Sequence, residues 1–145
     1  MDKRLTKNFT LGEMIRSYQA EKRGINNKPS KEAVENLKNL CTCVLQPLRD
    51  FHRRSILVSS GYRCRTLNRV VGGASTSQHM LGEAADIVFP NFLVALDWMH
   101  FISHNCPFDQ LLLEQNRRNG ARWLHVSCCK DTSRNRREIN IIQVG

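Results

Sequence analysis

Residues 108–128 read FDQLLLEQNRRNGARWLHVSC, and this stretch does most to decide the fold. Two apolar, strand-like runs, Phe108–Gln115 and Ala121–Cys128, lie on either side of the pair Asn119-Gly120. Asn-Gly is a preferred central pair of the type I′ turn, whose twist matches that of the two flanking strands. The pattern therefore predicts a β-hairpin late in the chain.

The length of the hairpin loop determines which side chains face each other. With the Asn-Gly pair at the centre of a two-residue turn, Glu114 lies directly opposite His125, and directly opposed Cβ atoms are about 5 Å apart. A longer loop, Asn116–Gly120, would instead place Glu114 opposite Arg122, giving an ordinary salt bridge. Glu114 could also be an exposed edge carboxylate. The first register predicts a carboxylate beside a histidine that needs a polar partner.

The remaining patterns place helices early in the chain and strands late. The predicted helices run from the capping box of Thr10 and Glu13 to about Gln19, from the cap Ser30 through a kink at Pro47, over Arg65–Val71, and from the cap Asn91 to about His104. The other predicted strands are Ser55–Ser60, Ala84–Phe89 and Glu138–Val144. This order favours one domain, residues 1–145, with an α+β fold in which N-terminal helices pack on a small antiparallel sheet.

Composition narrows the class of protein. The chain has 145 residues, of which 41% are hydrophobic and 24% charged, and no apolar stretch approaches the ~20 residues of a membrane span. Its N-terminus has no apolar region typical of a signal peptide. The net charge of +9 suits an acidic partner such as nucleic acid, anionic lipid or bacterial cell wall, or simply a solvated surface. The six cysteines lack metal-cluster spacing and are interpreted as reduced thiols, with one disulfide left open.

The segment Ser77–Asp86, SQHMLGEAAD, contains the second informative pattern. A tight turn at Gly82 followed by a strand would carry Asp86 back towards His79. Imidazole and carboxylate are both zinc ligands, and His125 offers a second imidazole in a strand. Three protein ligands would leave a fourth position for water, as a catalytic site requires. The alternative is that these are a structural strand histidine and a turn-capping aspartate.

Other residues have weaker patterns. His100 and His104 are four apart on a predicted helix but lack the glutamate of an HExxH motif, and His52 lies near a helix end. Neither Ser59 nor Ser77 lies in a G-x-S-x-G motif, and the cysteines have no nucleophile signature.

The combined motifs resemble the zinc D-Ala-D-Ala carboxypeptidase family, in particular its short single-domain branch. The string S-x-H-x-x-G-x-A-x-D, here from Ser77 to Asp86, is followed by W-x-H at Trp123 and His125. The likeness extends over FTLGEMIRS, VLQPLRDF, SSGYRC, LNRVVGGASTSQHMLGEAADI, FDQLLLE and WLHVS. That family includes the vancomycin-resistance D,D-dipeptidase and several phage endolysins, and it shares its fold with the hedgehog signalling domain.

The resemblance implies a role for each matching residue. His79, Asp86 and His125 match the ligands of one zinc ion. Arg63 matches an arginine that binds substrate and stabilises the oxyanion, and Ser77 matches a serine that helps to bind substrate.

One position departs from the family pattern. Many members carry an acid three residues before the last histidine, where this chain has Arg122, and arginine cannot act as a base at neutral pH. The short branch places its acid on the preceding strand, which Glu114 fits, with Asp109 as the fallback.

Three functions follow as hypotheses. The first is a zinc metallopeptidase that cuts peptidoglycan stem peptides as a carboxypeptidase or endopeptidase. A phage endolysin, which stays cytoplasmic until it is released onto the cell wall, is one such enzyme. The second is a non-catalytic, zinc-containing module that binds the cell wall. The third, a nucleic-acid binder, lacks a recognition motif and ranks last. We expect a monomer with a peptidoglycan peptide as its partner, and neither nucleic acid nor membrane.

Overall fold

Two sheets and six α-helices form the part of the chain that our computed structural model describes, residues 2–145. The strands are β1 (Arg4–Thr6), β2 (Phe9–Thr10), β3 (Leu57–Ser60), β4 (Ala84–Val88), β5 (Gln110–Asn116), β6 (Arg122–Ser127) and β7 (Glu138–Val144). The α-helices are α1 (Leu11–Ile15), α2 (Tyr18–Arg23), α3 (Lys31–Leu40), α4 (Gln46–His52), α5 (Arg65–Val70) and α6 (Phe92–Asn105). The presence of both helices and strands confirms the predicted mixed α+β class. The hairpin of β1 and β2 was not predicted.

The main sheet has the strand order β3-β4-β6-β5-β7. Three of its four pairings are antiparallel, but β7 runs parallel to β5, so the prediction of an antiparallel sheet is wrong for this strand. The reason is topological. Because β6 already pairs with β4 on one side and with β5 on the other, the chain leaving β6 must join an outer edge of the sheet, and it joins the free edge of β5. It arrives there at the end where β5 begins, and it therefore runs in the same direction.

The helix caps form where the sequence predicts them, but one helix is shorter than expected. Thr10 and Glu13 form the capping box, and Ser30 accepts the N–H of Ala33 at the start of α3. The first helix ends at Ile15 rather than near Gln19, because the next residue is extended and a second cap, at position 17, opens α2.

The kink predicted at Pro47 takes the form of a widened turn. A π-helical segment, Cys41–Leu45, joins α3 to α4. Proline lacks an N–H and its ring crowds the carbonyl one turn earlier, and a π-turn before it relieves that conflict.

The β5–β6 hairpin has a register that neither expected loop gives. Glu114 lies opposite Trp123, and Leu112 lies opposite His125, so the loop spans the four residues 117–120. Asn116 opens the loop by accepting the N–H of Arg118 on its side chain. The predicted two-residue turn is therefore wrong, but the correction shifts the register by an even number, and Glu114 remains on the face of the sheet that carries His125.

The two faces of the sheet have different roles. Side chains on one face form a single apolar core with residues of α3, α4 and α6. The sheet contributes Ala85, Ile87, Leu111, Leu113, Leu124 and Val126 to that core. Since side chains alternate along a strand, Asp86, Leu112, Glu114 and His125 project from the opposite face. The helices thus support the back of a platform whose front carries the polar residues.

Two predictions from composition can be compared with the structure. Within residues 2–145, no helix combines the length and the apolar character that a membrane crossing needs. All six cysteines are free thiols, and Cys41, Cys106, Cys128 and Cys129 are buried.

Candidate metal centre

Strand pairing places Asp86 beside His125. The two residues are direct partners in the antiparallel ladder between β4 and β6, so their side chains share a face. Asp86 Oδ1 lies 3.0 Å from His125 Nδ1. The pairing of β4 with β6 and the alternation of side chains along each strand thus place two ligand-type side chains next to each other.

His79 reaches the same point from a 3₁₀ turn, Gln78–Leu81, which Ser77 caps by accepting the N–H of His79. The turn ends at Gly82, whose φ of +77° leads the chain into β4. A Cβ at Gly82 would lie 2.4 Å from the carbonyl oxygen of Ala33 on α3, so both the backbone angle and the close approach require glycine. His79 Nε2 lies 3.4 Å from Asp86 Oδ1.

A backbone carbonyl orients the His79 ring. His79 Nδ1–H donates a hydrogen bond of 2.7 Å to the carbonyl oxygen of Gly61, which leaves the Nε2 lone pair directed at the cluster. Gly61 is itself fixed by packing, because a Cβ there would lie 2.2 Å from the Met14 carbonyl oxygen. No local pattern in the sequence indicates that the Gly61 carbonyl contacts His79.

The three side chains form a possible metal site. One ligand atom from each of His79, Asp86 and His125 lies within 4.8 Å of the others. Burial alone would raise the pKa of Asp86, but the neighbouring histidines outweigh it and hold the pKa well below its usual range. The donor set is therefore two imidazoles and one carboxylate that stays ionised, which fits Zn²⁺ with a fourth position left open.

Glu114 lies next to this cluster without joining it. Its Oε1 is 3.8 Å from His125 Nδ1 and accepts a hydrogen bond of 3.0 Å from Trp123 Nε1. Burial raises the pKa of Glu114, although the adjacent His125 opposes that effect. The indole bond fixes one carboxylate oxygen, so the side chain is held beside the three candidate ligands.

Arg63 and Ser77 line the same cleft. Arg63 Nη2 donates to Ser77 Oγ at 3.4 Å, and the Arg63 backbone N–H donates to the carbonyl of His79. Within residues 2–145 the buried Arg63 Nε has no hydrogen-bond partner. Burial lowers the pKa of Arg63 from its ordinary value, but a guanidinium remains charged at neutral pH. The structure therefore places a cation with one unpaired N–H beside the candidate ligands.

Arg122, where the chain departs from the family pattern, and Asp109, the fallback base, both lie outside the cluster. Arg122 is exposed and belongs to the opposite alternation of β6 from His125, so it does not face the candidate ligands. Asp109 is buried just before β5, and both of its oxygens accept hydrogen bonds from Arg136. Of the two candidate bases, the structure brings only Glu114 into contact with the cluster.

The remaining histidines are also elsewhere. His100 and His104 stack on α6 with ring centroids 4.1 Å apart, and His52 packs edge-on against Trp98. In the described part of the chain, none of these three histidines belongs to a group of three ligand-type side chains that could hold a metal.

The candidate ligands lie in a cleft of about 560 Å³. One wall is the front face of the sheet, and the other is the loop of residues 71–78, which leads into the 3₁₀ turn. Arg136, from the segment after β6, also lines this cleft. No sequence pattern identified that residue as part of the site, because only the path of the chain beyond β6 brings it there.

Comparison with known proteins identifies the family of this chain. A family model described as peptidase M15 matches residues 7–127, the greater part of the chain and the part that contains every candidate ligand. Among curated proteins, no sequence gives a significant match. The chain therefore belongs to the peptidase M15 family, whose members are zinc-dependent metallopeptidases of the D-Ala-D-Ala carboxypeptidase type.

Proposed function

We propose that this protein is a zinc peptidase that hydrolyses bonds in peptidoglycan stem peptides, with His79, Asp86 and His125 as the metal ligands. The observation that carries the proposal is the convergence of these three side chains with Glu114 in one open cleft. The basic surface, with a net charge of +9, supports an anionic target such as the bacterial wall. A role as an endolysin released from the cytoplasm is part of this proposal.

The residues divide the chemistry among them. A zinc ion held by the three ligands would lower the pKa of a water molecule to about 7 and polarise the scissile carbonyl. Glu114 accepts the proton of the attacking water and returns it to the leaving amine. Its raised pKa suits a group that must both take and give a proton. Trp123 holds the Glu114 carboxylate in place, and Arg63 donates to the developing oxyanion.

A digest of purified muropeptides, analysed by mass spectrometry, tests this proposal because the product masses name the bond that is cut. We expect cleavage that a chelator abolishes and added zinc restores. Glu114→Gln should lower kcat by about 10²- to 10⁴-fold, the usual contribution of a general base, while zinc is retained. Glu35→Gln, a matched change at an exposed glutamate that pairs with Lys130, serves as the control.

The same experiment separates the alternative of a non-catalytic wall-binding module. Zinc-loaded protein that binds muropeptides but cleaves none of them under any condition would contradict the peptidase proposal and favour that alternative.

A further inference from the structure

The segment between β6 and β7, residues 128–137, lies just beyond the part of the chain that the family model matches. Two of its arginines bind buried carboxylates. Arg134 Nη1 lies 3.6 Å from Glu83 Oε2, and Arg136 Nη2 lies 2.9 Å from Asp109 Oδ2. Only Arg136 of these two lines the cleft. Arg134 can therefore serve as a control for Arg136, because both bind a buried carboxylate but only Arg136 lines the cleft.

Asp109 holds Arg136 in one orientation. Asp109 is only 2% exposed, and its Oδ1 accepts both the backbone N–H of Arg136, at 2.7 Å, and Nε, at 2.9 Å. Its Oδ2 accepts Nη2 at 2.9 Å. These contacts use the side of the guanidinium that carries Nε. A planar guanidinium fixed in this way loses little further entropy when it binds a second group.

The outer edge of the guanidinium remains available. The nearest carboxylate on that edge, Glu138 Oε1, lies 3.9 Å from Nη1, which is beyond hydrogen-bond distance. The Arg136 side chain is 59% exposed. The Nη1 and Nη2 hydrogens on this edge match the two oxygens of a carboxylate, so a carboxylate could accept two parallel hydrogen bonds there.

The strand β5 gives an approximate distance between Arg136 and the candidate metal ligands. Gln110 and Arg136 both line the cleft, and both approach Glu138 Oε1, at 3.0 Å from Gln110 Nε2 and 3.9 Å from Arg136 Nη1. Gln110 lies two residues before Leu112 on β5. Leu112 is the direct partner of His125. Two residues of strand span about 7 Å, which an extended peptide covers in about two residues.

We propose that Arg136 is a specificity-determining residue that binds a carboxylate of the peptide substrate, about two residues from the bond that is cut. This inference rests on the proposed peptidase function and names the kind of substrate that the cleft selects: an acidic peptide rather than its amidated counterpart. The substrate carboxylate binds the outer edge of the guanidinium, while Asp109 holds the inner edge.

A binding experiment tests this separately from turnover. The probes are synthetic stem pentapeptides in which the D-glutamyl carboxylate or the C-terminal carboxylate is replaced, one at a time, by a carboxamide. Dissociation constants are measured by calorimetry on the zinc-loaded Glu114→Gln protein, which should not turn the probes over. We expect one of the two replacements to weaken binding about tenfold, the effect of losing one charged hydrogen-bond pair. Adding Arg136→Gln should remove that difference.

Two further variants guard against a merely structural effect. Arg134→Gln removes the other arginine of the same segment and should leave the tenfold difference intact. Glu138→Gln removes the negative charge near Nη1 and should strengthen binding of the carboxylate peptide only, which tests the proposal even if Arg136→Gln does not fold.

The outcomes separate the two proposals. The role of Arg136 would be overturned if Arg136→Gln kept the preference for the carboxylate peptide over the carboxamide peptide. It would also be overturned if Arg134→Gln lost that preference to the same extent. Either result would leave the peptidase proposal standing. A carboxylate preference that Glu138→Gln leaves unchanged would also count against it. Failure of the zinc-loaded protein to bind any of the pentapeptides would contradict the proposed substrate, and this inference with it.

Discussion

Contacts with specific atoms hold the side chains of the candidate site in place. Two contacts hold the three candidate ligands: His79 contacts the Gly61 carbonyl, and Asp86 and His125 contact each other. Glu114 is fixed by Trp123. The chemistry of a site at this scale depends on supporting groups as well as on the ligands themselves.

Removal of the imidazoles should remove the metal. We expect the wild-type protein to carry one zinc ion per chain, and His79→Ala/His125→Ala to carry almost none, because two of three protein ligands are lost. His100→Ala/His104→Ala deletes the same number of histidines from the exposed face of α6 and should retain zinc. Metal analysis of the dialysed proteins checks this. Full zinc in the first variant would refute the assignment of the ligands.

A substitution at Gly61 tests whether its carbonyl holds the His79 ring in position. A methyl group at this position would lie 2.2 Å from the Met14 carbonyl oxygen, so Gly61→Ala must displace the backbone that holds the His79 ring. We expect zinc affinity to fall by about 10- to 100-fold, as for other losses of a ligand's supporting partner. Gly24→Ala, at an open helix end with a φ of +64°, should leave affinity unchanged. Competition with a chromogenic chelator measures both, and equal affinities in the two variants would contradict this account.

At the scale of elements, the alternation and pairing of strands decide which residues meet. The β4–β6 ladder brings together Asp86 and His125, which are 39 residues apart in sequence. The connection between β6 and β7 is fastened to the start of β5 by Asp109 and Arg136. This attachment positions the outer strand of the sheet, and its strength should depend on the charge of Asp109.

The pH dependence of stability tests that attachment. Hydrogen bonds from Arg136 hold the pKa of Asp109 below its usual range in the folded state. A carboxyl group with a lowered folded pKa stabilises the protein above its unfolded pKa, near 3.9, and the contribution is lost as the pH falls through the folded value. We expect Asp109→Asn to lower the free energy of unfolding by about 1–3 kcal/mol at pH 7, and the difference from wild type to shrink below about pH 4.

Urea unfolding between pH 3 and pH 7 measures this difference. Asp97→Asn, a change at an exposed aspartate on α6, provides the control and should cost little at any pH. A deficit in Asp109→Asn that is the same at pH 3 and pH 7 would show that the charge of Asp109 is not its cause.

At the scale of the whole molecule, a bound metal would link parts of the chain that are distant in sequence. The candidate ligands come from a 3₁₀ turn and two strands, and they lie on the face of the sheet opposite the helical core. A metal that binds only the folded state stabilises it by mass action, by about 4 kcal/mol at a free concentration a thousand times Kd.

Chelation should therefore lower the melting temperature of the wild-type protein, and zinc should restore it. For a domain of this size we expect a shift of roughly 10 °C or more if zinc is at high saturation. Scanning calorimetry with and without a chelator measures the shift. His79→Ala/His125→Ala should melt at the same temperature in both conditions, and a chelator-dependent shift in that variant would point to a metal site elsewhere.

The sequence alone determined the helix caps, most strand positions and the identity of the candidate ligands. These depend on short-range patterns: Thr10 with Glu13 forms a cap, and S-x-H-x-x-G-x-A-x-D is a local string. Only the tertiary structure decided the hairpin register, the parallel direction of β7 and the presence of Arg136 in the cleft. Those features depend on which strand edges are free and on contacts between residues far apart in the chain, and no local pattern of side chains records them. Glu114 was predicted on the correct face despite the wrong register, because side chains repeat every two residues along a strand and the error was an even one.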